Sequence, residues 1–425
     1  MNEQTGHGEA VTAAHAKAEA EAAEAEAEAG TEAEDGSGGD PERARQLRAW
    51  RRAEHRLSHG PGGETLRERL AGLTAAGAAA YDLDDRVDQY GNADGIVGAL
   101  ERRTAALLGT EAAAFFPTGT MAQQVALRCW AGRTGDRTVA MPTSAHPVRW
   151  ESDALRRLTG LHVVHPTDAP RPPTADEVRA VREPFGTLLL ELPLREAGFV
   201  LPEWDELTAT VAAARERDAA VHFDGARLWE STRYLGRGLP EIADLADTVY
   251  VSFYKSLGGI SGAALAGPAE VVEEAAVWRH RYGGRLYQQW PAALAALAGL
   301  DGELPRLPEY VAHAAVVAAA LREALAAAGG PGWWRVWPEV PHTHEFQVWL
   351  PYDARTLTEA GVRQAEETGT LLFRRWTEPA GAPPGTAMHE VTVARPGLSW
   401  SAGRVRAACE EFLGFVRTTL DERGR

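Results

Sequence analysis

Short apolar runs alternate with longer stretches of helical period through most of this chain. Runs with strand character fall at 112–116, 138–141, 161–165, 187–192, 220–223, 248–253 and 263–266, mostly separated by amphipathic segments rich in Ala and Arg. That alternation predicts a largely parallel sheet covered by helices on both faces, since each parallel pair needs a crossover. Past Leu304-Pro305 the rhythm changes. A helical stretch over 308–328 stops at Gly329-Gly330-Pro331-Gly332, and apolar runs at 334–350, 370–376 and 388–394 with a closing helix over 401–420 predict a small second sheet with helices. The expected organisation is a tail over 1–44, a large domain with an amino-terminal arm over 45–305, and a smaller carboxy-terminal α+β domain over 306–425. Residues 41–70 read as a basic, helix-forming clamp.

Composition changes this picture only at the start of the chain. The formal net charge is -16 over 425 residues, yet the first forty carry eleven acidic residues against Lys17 alone. That Ala-Glu-rich segment has no aromatic residue and predicts a disordered tail. The rest is mildly acidic, which argues against nucleic acid as a partner. No basic, apolar leader opens the sequence and no apolar run is long enough to span a membrane, so a cytoplasmic protein is expected. Cys129 and Cys409 are far apart and read as two half-buried thiols, and His342-Thr343-His344 without further ligand spacing does not make a metal site. No metal is expected.

The candidate chemistry lies at the ends of two predicted strands. Val221-His222-Phe223-Asp224 and Tyr250-Val251-Ser252-Phe253-Tyr254-Lys255 are both apolar runs that end in a charged residue. In an open parallel sheet, ligands sit beyond the carboxyl ends of the strands, so Asp224 and Lys255 are placed to face one ligand. An acid to keep a pyridine nitrogen protonated and a lysine to form a Schiff base are the pair that pyridoxal 5'-phosphate needs. Burial beside apolar residues would favour the neutral amine of Lys255. Upstream, Thr118-Gly119-Thr120 follows the first strand and opens a helix, a turn suited to a phosphate. His146, after the second strand, offers a ring that stacks on a cofactor and moves protons.

These motifs resemble the low-specificity threonine aldolase family, within the aspartate-aminotransferase-like fold of pyridoxal phosphate enzymes. The resemblance runs over about 57–415 and is strongest at His222-Phe223-Asp224-Gly225-Ala226-Arg227-Leu228-Trp229, with Thr118-Gly119-Thr120-Met121-Ala122-Gln123-Gln124 and Ser252-Phe253-Tyr254-Lys255 beside it. It implies that Lys255 carries the cofactor, Asp224 meets the pyridine nitrogen and His146 stacks on the ring. It further implies that Arg227 holds the substrate carboxylate with Ser58 from the arm, that Arg279 or Arg281 reaches a phosphate, and that the active site is built across a homodimer or homotetramer.

Two departures bear on the substrate. The family's Glu-Asn-Thr-His-Asn is replaced by Glu191-Leu192-Pro193-Leu194-Arg195, which loses a histidine near the substrate hydroxyl and brings Arg195 close. A second carboxylate-binding arginine gives way to His389-Glu390-Val391-Thr392, and Glu390 suggests a substrate whose side-chain end is polar or basic. The leading expectation is cleavage of a β-hydroxy-α-amino acid to glycine and an aldehyde, or its reversal. Two alternatives stand beside it: a β-eliminating lyase on a β-substituted amino acid, and a cofactor-binding protein without turnover.

Overall fold

The computed structural model describes residues 41–58, 64–327 and 330–423; residues 1–40 of the expected tail lie outside them, while its last four, 41–44, open the helix Pro41–Arg52. The strands in chain order are β1 (His55–Arg56), β2 (Ala112–Phe116), β3 (Thr138–Ala140), β4 (His162–Val164), β5 (Thr187–Glu191), β6 (Ala220–Gly225), β7 (Thr248–Ser252), β8 (Ala263–Gly267), β9 (Arg335–Trp337), β10 (Glu345–Leu350), β11 (Thr370–Leu371) and β12 (Ala387–Thr392). Seven of them form one sheet in the order β2-β8-β7-β6-β5-β3-β4. The pairs from β7 through β6, β5 and β3 to β4 are parallel, while β8 runs antiparallel to both of its neighbours. The expected strands therefore match the observed ones to within two residues at either end.

The four central strands β5 to β8 are buried along their whole length, which is why they read as unbroken apolar runs rather than alternating ones. Side chains still alternate between the two covered faces. Leu188, Leu190, Val221, Phe223, Val249 and Val251 join the core under the helices Ile96–Leu108, Trp204–Arg215 and Trp290–Gly302. On the other face Phe116, Tyr250 and Leu265 pack with Val125, Ala126 and Val272 of the helices Gly119–Thr134 and Ala269–Arg281.

A second core holds the carboxy-terminal residues together. Strands β12, β10 and β9 form an antiparallel sheet, and the helices Leu307–Ala326, Ala354–Thr368 and Ala402–Arg423 pack with it around Phe373, Trp376, His389 and Phe412. Two expectations need correction here. The arm, assigned by sequence to the large domain, packs on the small one: Ala49, Trp50 and Ala53 of the helix Pro41–Arg52 and its exit meet Val362, Ala365 and Leu371. The run at 370–376, expected in the small sheet, supplies only β11, which pairs with β1 of that arm. Basic helix-forming composition showed that the arm clamps something but carried no address; the apolar face of Ala354–Thr368 decides it. Both cysteines are fully buried free thiols rather than half-buried ones.

The fold reaches the site through Phe253, two residues before Lys255, whose ring stacks between Phe115 and Trp229 at centroid distances of 6.1 and 6.3 Å. Phe253→Ala is expected to lower the unfolding free energy by about 3–5 kcal/mol, read from urea denaturation. A loss under about 1 kcal/mol would show that this ring is not part of the core that fixes the lysine turn.

Candidate active site

Parallel pairing of β6 with β7 sets the register Asp224 to Tyr250, and pairing of β5 with β6 sets Glu191 beside Asp224. The carboxyl ends of three neighbouring strands thus carry Glu191, Asp224 and, after a short turn, Lys255. That turn closes through Gly258 N to Lys255 O at 3.2 Å and Gly259 N to Phe253 O at 2.9 Å. Gly258 takes a φ of +66°, and a Cβ at Gly259 would lie 2.6 Å from the Phe253 carbonyl, so both positions require glycine. Lys255 is half-buried, and burial, helped by the positive charges of Arg227 and Arg195, pushes its amine down to about 8 against the pull of Asp224 and Glu191. Asp224 is buried; Oδ2 accepts from Gln123 Nε2, and Oδ1 accepts from Ala226 N at 3.1 Å.

The Thr118-Gly119-Thr120 turn opens a helix, as expected. Thr118 caps the helix Gly119–Thr134, its hydroxyl accepting from Met121 N at 3.2 Å, and Gly119 and Thr120 stand at the helix start where backbone N–H groups and the helix dipole favour an anion. Sequence reasoning missed the residue that makes Gly119 necessary: a Cβ there would lie 2.0 Å from the hydroxyl of Tyr250, which comes up from β7 into the same corner. Arg281 does not join this turn. It is exposed and lies over Trp278 at 4.3 Å, while Arg279 pairs with Glu101 at 3.3 Å and donates to the Phe115 carbonyl at the end of β2.

His146 opens the short helix His146–Arg149, and its backbone N–H donates to Glu191 Oε2 at 2.8 Å. Glu191 Oε1 accepts from Arg195 N at 3.1 Å, so one buried carboxyl anchors the loops that carry His146 and Arg195. Burial, with the Asp224 charge beside it, pushes Glu191 up to about 7. The His146 ring faces a second carboxylate, Nδ1 lying 3.6 Å from Glu151 Oε1, and Gln124 Nε2 fixes the other Glu151 oxygen at 2.8 Å. Neither acid was predicted. Their signal was a carboxylate ending a buried apolar run at Glu191, and one five residues after His146 at Glu151.

Both arginines expected at the substrate meet carboxylates of the small domain. Arg195 binds Glu390 through two parallel contacts, Nε to Oε1 at 3.0 Å and Nη2 to Oε2 at 3.1 Å, and lies over Trp150. Arg227 Nε lies 2.5 Å from Glu345 Oε2, with Phe199 under the guanidinium at 5.1 Å. Arg227 Nε and Glu345 Oε2 are both buried without a hydrogen-bond partner among the described residues, so the pair is a contact of charges, and no hydrogen bond from Arg227 Nη1 or Nη2 occurs among them either. The expectation of a polar or basic substrate end rested on an unpaired Glu390; Arg195 neutralises it, and that argument falls. Ser58 has a buried hydroxyl without a hydrogen-bond partner among the described residues.

A β-eliminating lyase family model matches residues 71–329. The chain belongs to this family. The low specificity L-threonine aldolase of Escherichia coli (strain K12) is 34% identical over 244 residues, which is 56% of this chain and 72% of that protein. A candidate L-allo-threonine aldolase of Listeria monocytogenes EGD-E is similar in structure, with a TM-score of 0.77 and 31% identity over 87% of this chain and 99% of its own. A candidate aromatic amino acid β-eliminating lyase/threonine aldolase of Exiguobacterium sp. 255-15 gives the same TM-score and coverage at 33% identity. The fold is thus the pyridoxal-phosphate fold expected from the motifs, and the chain is a pyridoxal-phosphate enzyme of the threonine aldolase type.

The residues present fit that cofactor. A lysine with a lowered pKa, an acid one strand away and a glycine-threonine helix start converge on one end of the sheet, and the buried Ser144 hydroxyl there has no partner among the described residues. Within the β-eliminating lyase frame, one buried cluster was not expected: Glu230, His344 and Glu345 lie within ligand distance of one another. Two acids and an imidazole suit a cation, but the charges already balance. His344 Nε2 lies 2.8 Å from Glu230 Oε2, Ser256 donates to the same oxygen, and Arg227 faces Glu345. Burial works against a charged His344, yet Glu230 outweighs it and holds the imidazole up to about 9. His342, two residues earlier, stacks instead on Tyr234 at 3.8 Å.

Because the His344 pKa in the folded chain, about 9, stands above its ordinary 6.5, the stability drawn from its charge is complete below pH 6.5 and fades as the pH rises through 9. The stability gap between wild type and His344→Gln in urea melts is expected to be widest below pH 6.5 and to narrow by about pH 10. A gap independent of pH would mean that His344 is uncharged.

Proposed function

We propose that this site cleaves a β-hydroxy-α-amino acid to glycine and an aldehyde, or runs the reverse reaction, with the residue roles that follow. The observation that carries the roles is the convergence of Lys255, Asp224 and Arg227 at one end of the parallel sheet, where the charges of Asp224 and Arg227 both act on the Lys255 amine. Pyridoxal phosphate, when bound, supplies an electron sink for the bond between the α and β carbons. Lys255 would hold the cofactor, and its lowered pKa leaves more of the amine neutral at physiological pH than an ordinary lysine would have. Asp224 would face the pyridine nitrogen, with Thr118, Gly119, Thr120 and Tyr250 around the phosphate.

Arg227 receives the substrate carboxylate on Nη1 and Nη2, while Glu345 holds Nε and fixes the plane of the fork. His146, its Nδ1 directed to Glu151, accepts the β-hydroxyl proton at Nε2 as the carbon–carbon bond opens, and a proton returns to the α carbon to complete glycine. The Arg195–Glu390 pair stands where the family's histidine and second arginine would be. It offers a neutral, hydrogen-bonding wall to the substrate side chain.

An exposed apolar surface supports a homo-oligomer. Leu66, Leu70, Val87, Tyr90, Ile260 and Tyr287 are each about half exposed or more. They fall into two clusters: Arg69 Nη2 donates to Gly258 O at 2.6 Å, which sets Ile260 near Leu66 and Leu70, while Gln288 N donates to Gln89 O at 2.7 Å and the rings of Tyr90 and Tyr287 meet at 5.4 Å, which sets Tyr287 near Val87. A patch of this kind beside the Lys255 turn suits a second copy of the chain. No helix among the described residues is long and apolar enough to cross a membrane, in keeping with a cytoplasmic enzyme.

Incubation of the cofactor-loaded protein with a panel of β-hydroxy-α-amino acids should release glycine, and Lys255→Ala should abolish both turnover and the bound-cofactor absorbance. Pyruvate and ammonia in place of glycine would assign the site to β-elimination. Arg227→Lys is expected to raise KM about tenfold or more with a smaller change in kcat, since the carboxylate contact is made in ground and transition states alike. Leu70→Glu with Tyr287→Glu should give monomers by light scattering, and retention of the oligomer would remove the patch as its interface.

A further inference from the structure

Asp224 is the last member of a chain of buried polar groups; His222 and Gln123 stand within the quoted motifs, but no role was read for either. Gln123 Nε2 donates to Asp224 Oδ2; Gln123 Oε1 meets His222 Nε2 at 2.9 Å; His222 Nδ1 meets Thr248 Oγ1 at 2.9 Å; and Trp130 Nε1 donates to Thr248 Oγ1 at 2.8 Å. Gln123, His222, Thr248 and Asp224 are each no more than 1% exposed. The fold builds this row from three elements. His222 and Asp224 share one face of β6, Thr248 is the cross-strand partner of His222 on β7, and Gln123 and Trp130 lie seven residues apart on the helix Gly119–Thr134 that covers both strands.

The direction of every bond is fixed by the two ends. A carboxylate only accepts and an indole N–H only donates. Gln123 must therefore turn its NH2 group to Asp224 and its oxygen to His222, which requires the proton of a neutral imidazole on Nε2 and leaves Nδ1 to accept from the Thr248 hydroxyl. The same hydroxyl oxygen accepts from Trp130. Burial pushes the His222 imidazole down to about 4, against the pull of Asp224, so the ring is neutral as this order demands.

We propose that Gln123, His222 and Thr248 are positioning residues that lock the Asp224 carboxylate in the plane from which it meets the cofactor's pyridine nitrogen. This rests on the assignment of Asp224 made above. One oxygen is held by the row and the other by the Ala226 N–H, so the carboxylate cannot rotate without breaking a buried bond. The row also keeps Gln123 from turning its own oxygen toward the acid, because a flipped amide would set NH2 against the Nε2–H of His222. A set of polar groups present only to satisfy one another would lend stability alone; a lock on Asp224 acts on the electronics of the ring.

The test is the pH titration of the bound cofactor's absorbance, with kcat, KM and thermal melting measured on the same proteins. A ring nitrogen held less firmly in its protonated form withdraws fewer electrons from the atom joined to Lys255, which then keeps its own proton to higher pH. Gln123→Leu should move the titration midpoint upward and lower kcat about tenfold with KM within about twofold of wild type. Thr248→Val should shift both in the same direction, and Thr248→Ser, which keeps the hydroxyl, should restore them. Lower melting temperatures with an unchanged midpoint and kcat in Gln123→Leu and Thr248→Val would overturn the proposal. Asp224→Asn is the reference: if it too leaves the midpoint where it was, the assignment of Asp224 to the pyridine nitrogen is what has failed.

Discussion

The parallel pairing of β6 with β7 is the constraint on which the rest of this structure depends. It brings the carboxyl ends of two strands side by side, and with them an acid and a lysine separated by about thirty residues of sequence. Neither charge could be held there by local structure, since each stands at the end of a buried apolar run in a place that would otherwise exclude it. Helices on both faces keep the strands in register, and the ring of Phe253 stacked between Phe115 and Trp229 carries that register through the turn to Lys255.

Charge in the cleft is balanced almost group by group. Arg227 faces Glu345, Arg195 faces Glu390, and His344 faces Glu230. In each pair one partner belongs to the large domain and the other to the small sheet or the loop leading into it, so the two domains meet through opposite charges around the site. Such buried pairs add little net stability, because desolvation offsets most of the attraction. Their effect is geometric. Glu345 stands against the Nε edge of the Arg227 guanidinium, and Arg195 cancels the charge of Glu390.

Two kinds of electrostatic control therefore act on Lys255 and Asp224, at the two ends of the proposed cofactor site. At Lys255, burial and neighbouring cations favour the neutral amine. At Asp224, neutral polar groups aligned in one direction hold a carboxylate without adding charge beneath it. Glu191 stands between them, raised by burial and by Asp224, and ties together the loops that carry His146 and Arg195.

Much of this was legible in the sequence, for identifiable reasons. Apolar runs at regular spacing gave the sheet and its helices, since a strand buried on both faces is built mostly of apolar residues. The places of Asp224 and Lys255 at strand ends and of Thr118-Gly119-Thr120 at a helix start could be read because each is a matter of local pattern. The rest depended on distance across the fold. Glu345 and Glu390 are ordinary acids in sequence and become partners of Arg227 and Arg195 only when the small sheet folds over the large one. Arg281 looked fit for a phosphate and is drawn aside onto Trp278. Trp130, Thr248, His222 and Gln123 carry no motif that joins them. The sequence by itself determined the elements, the cofactor and the ends of the strands where chemistry occurs, because those follow from local pattern. Only the tertiary structure decided which charges meet, because pairing is set by the packing of segments far apart in the chain.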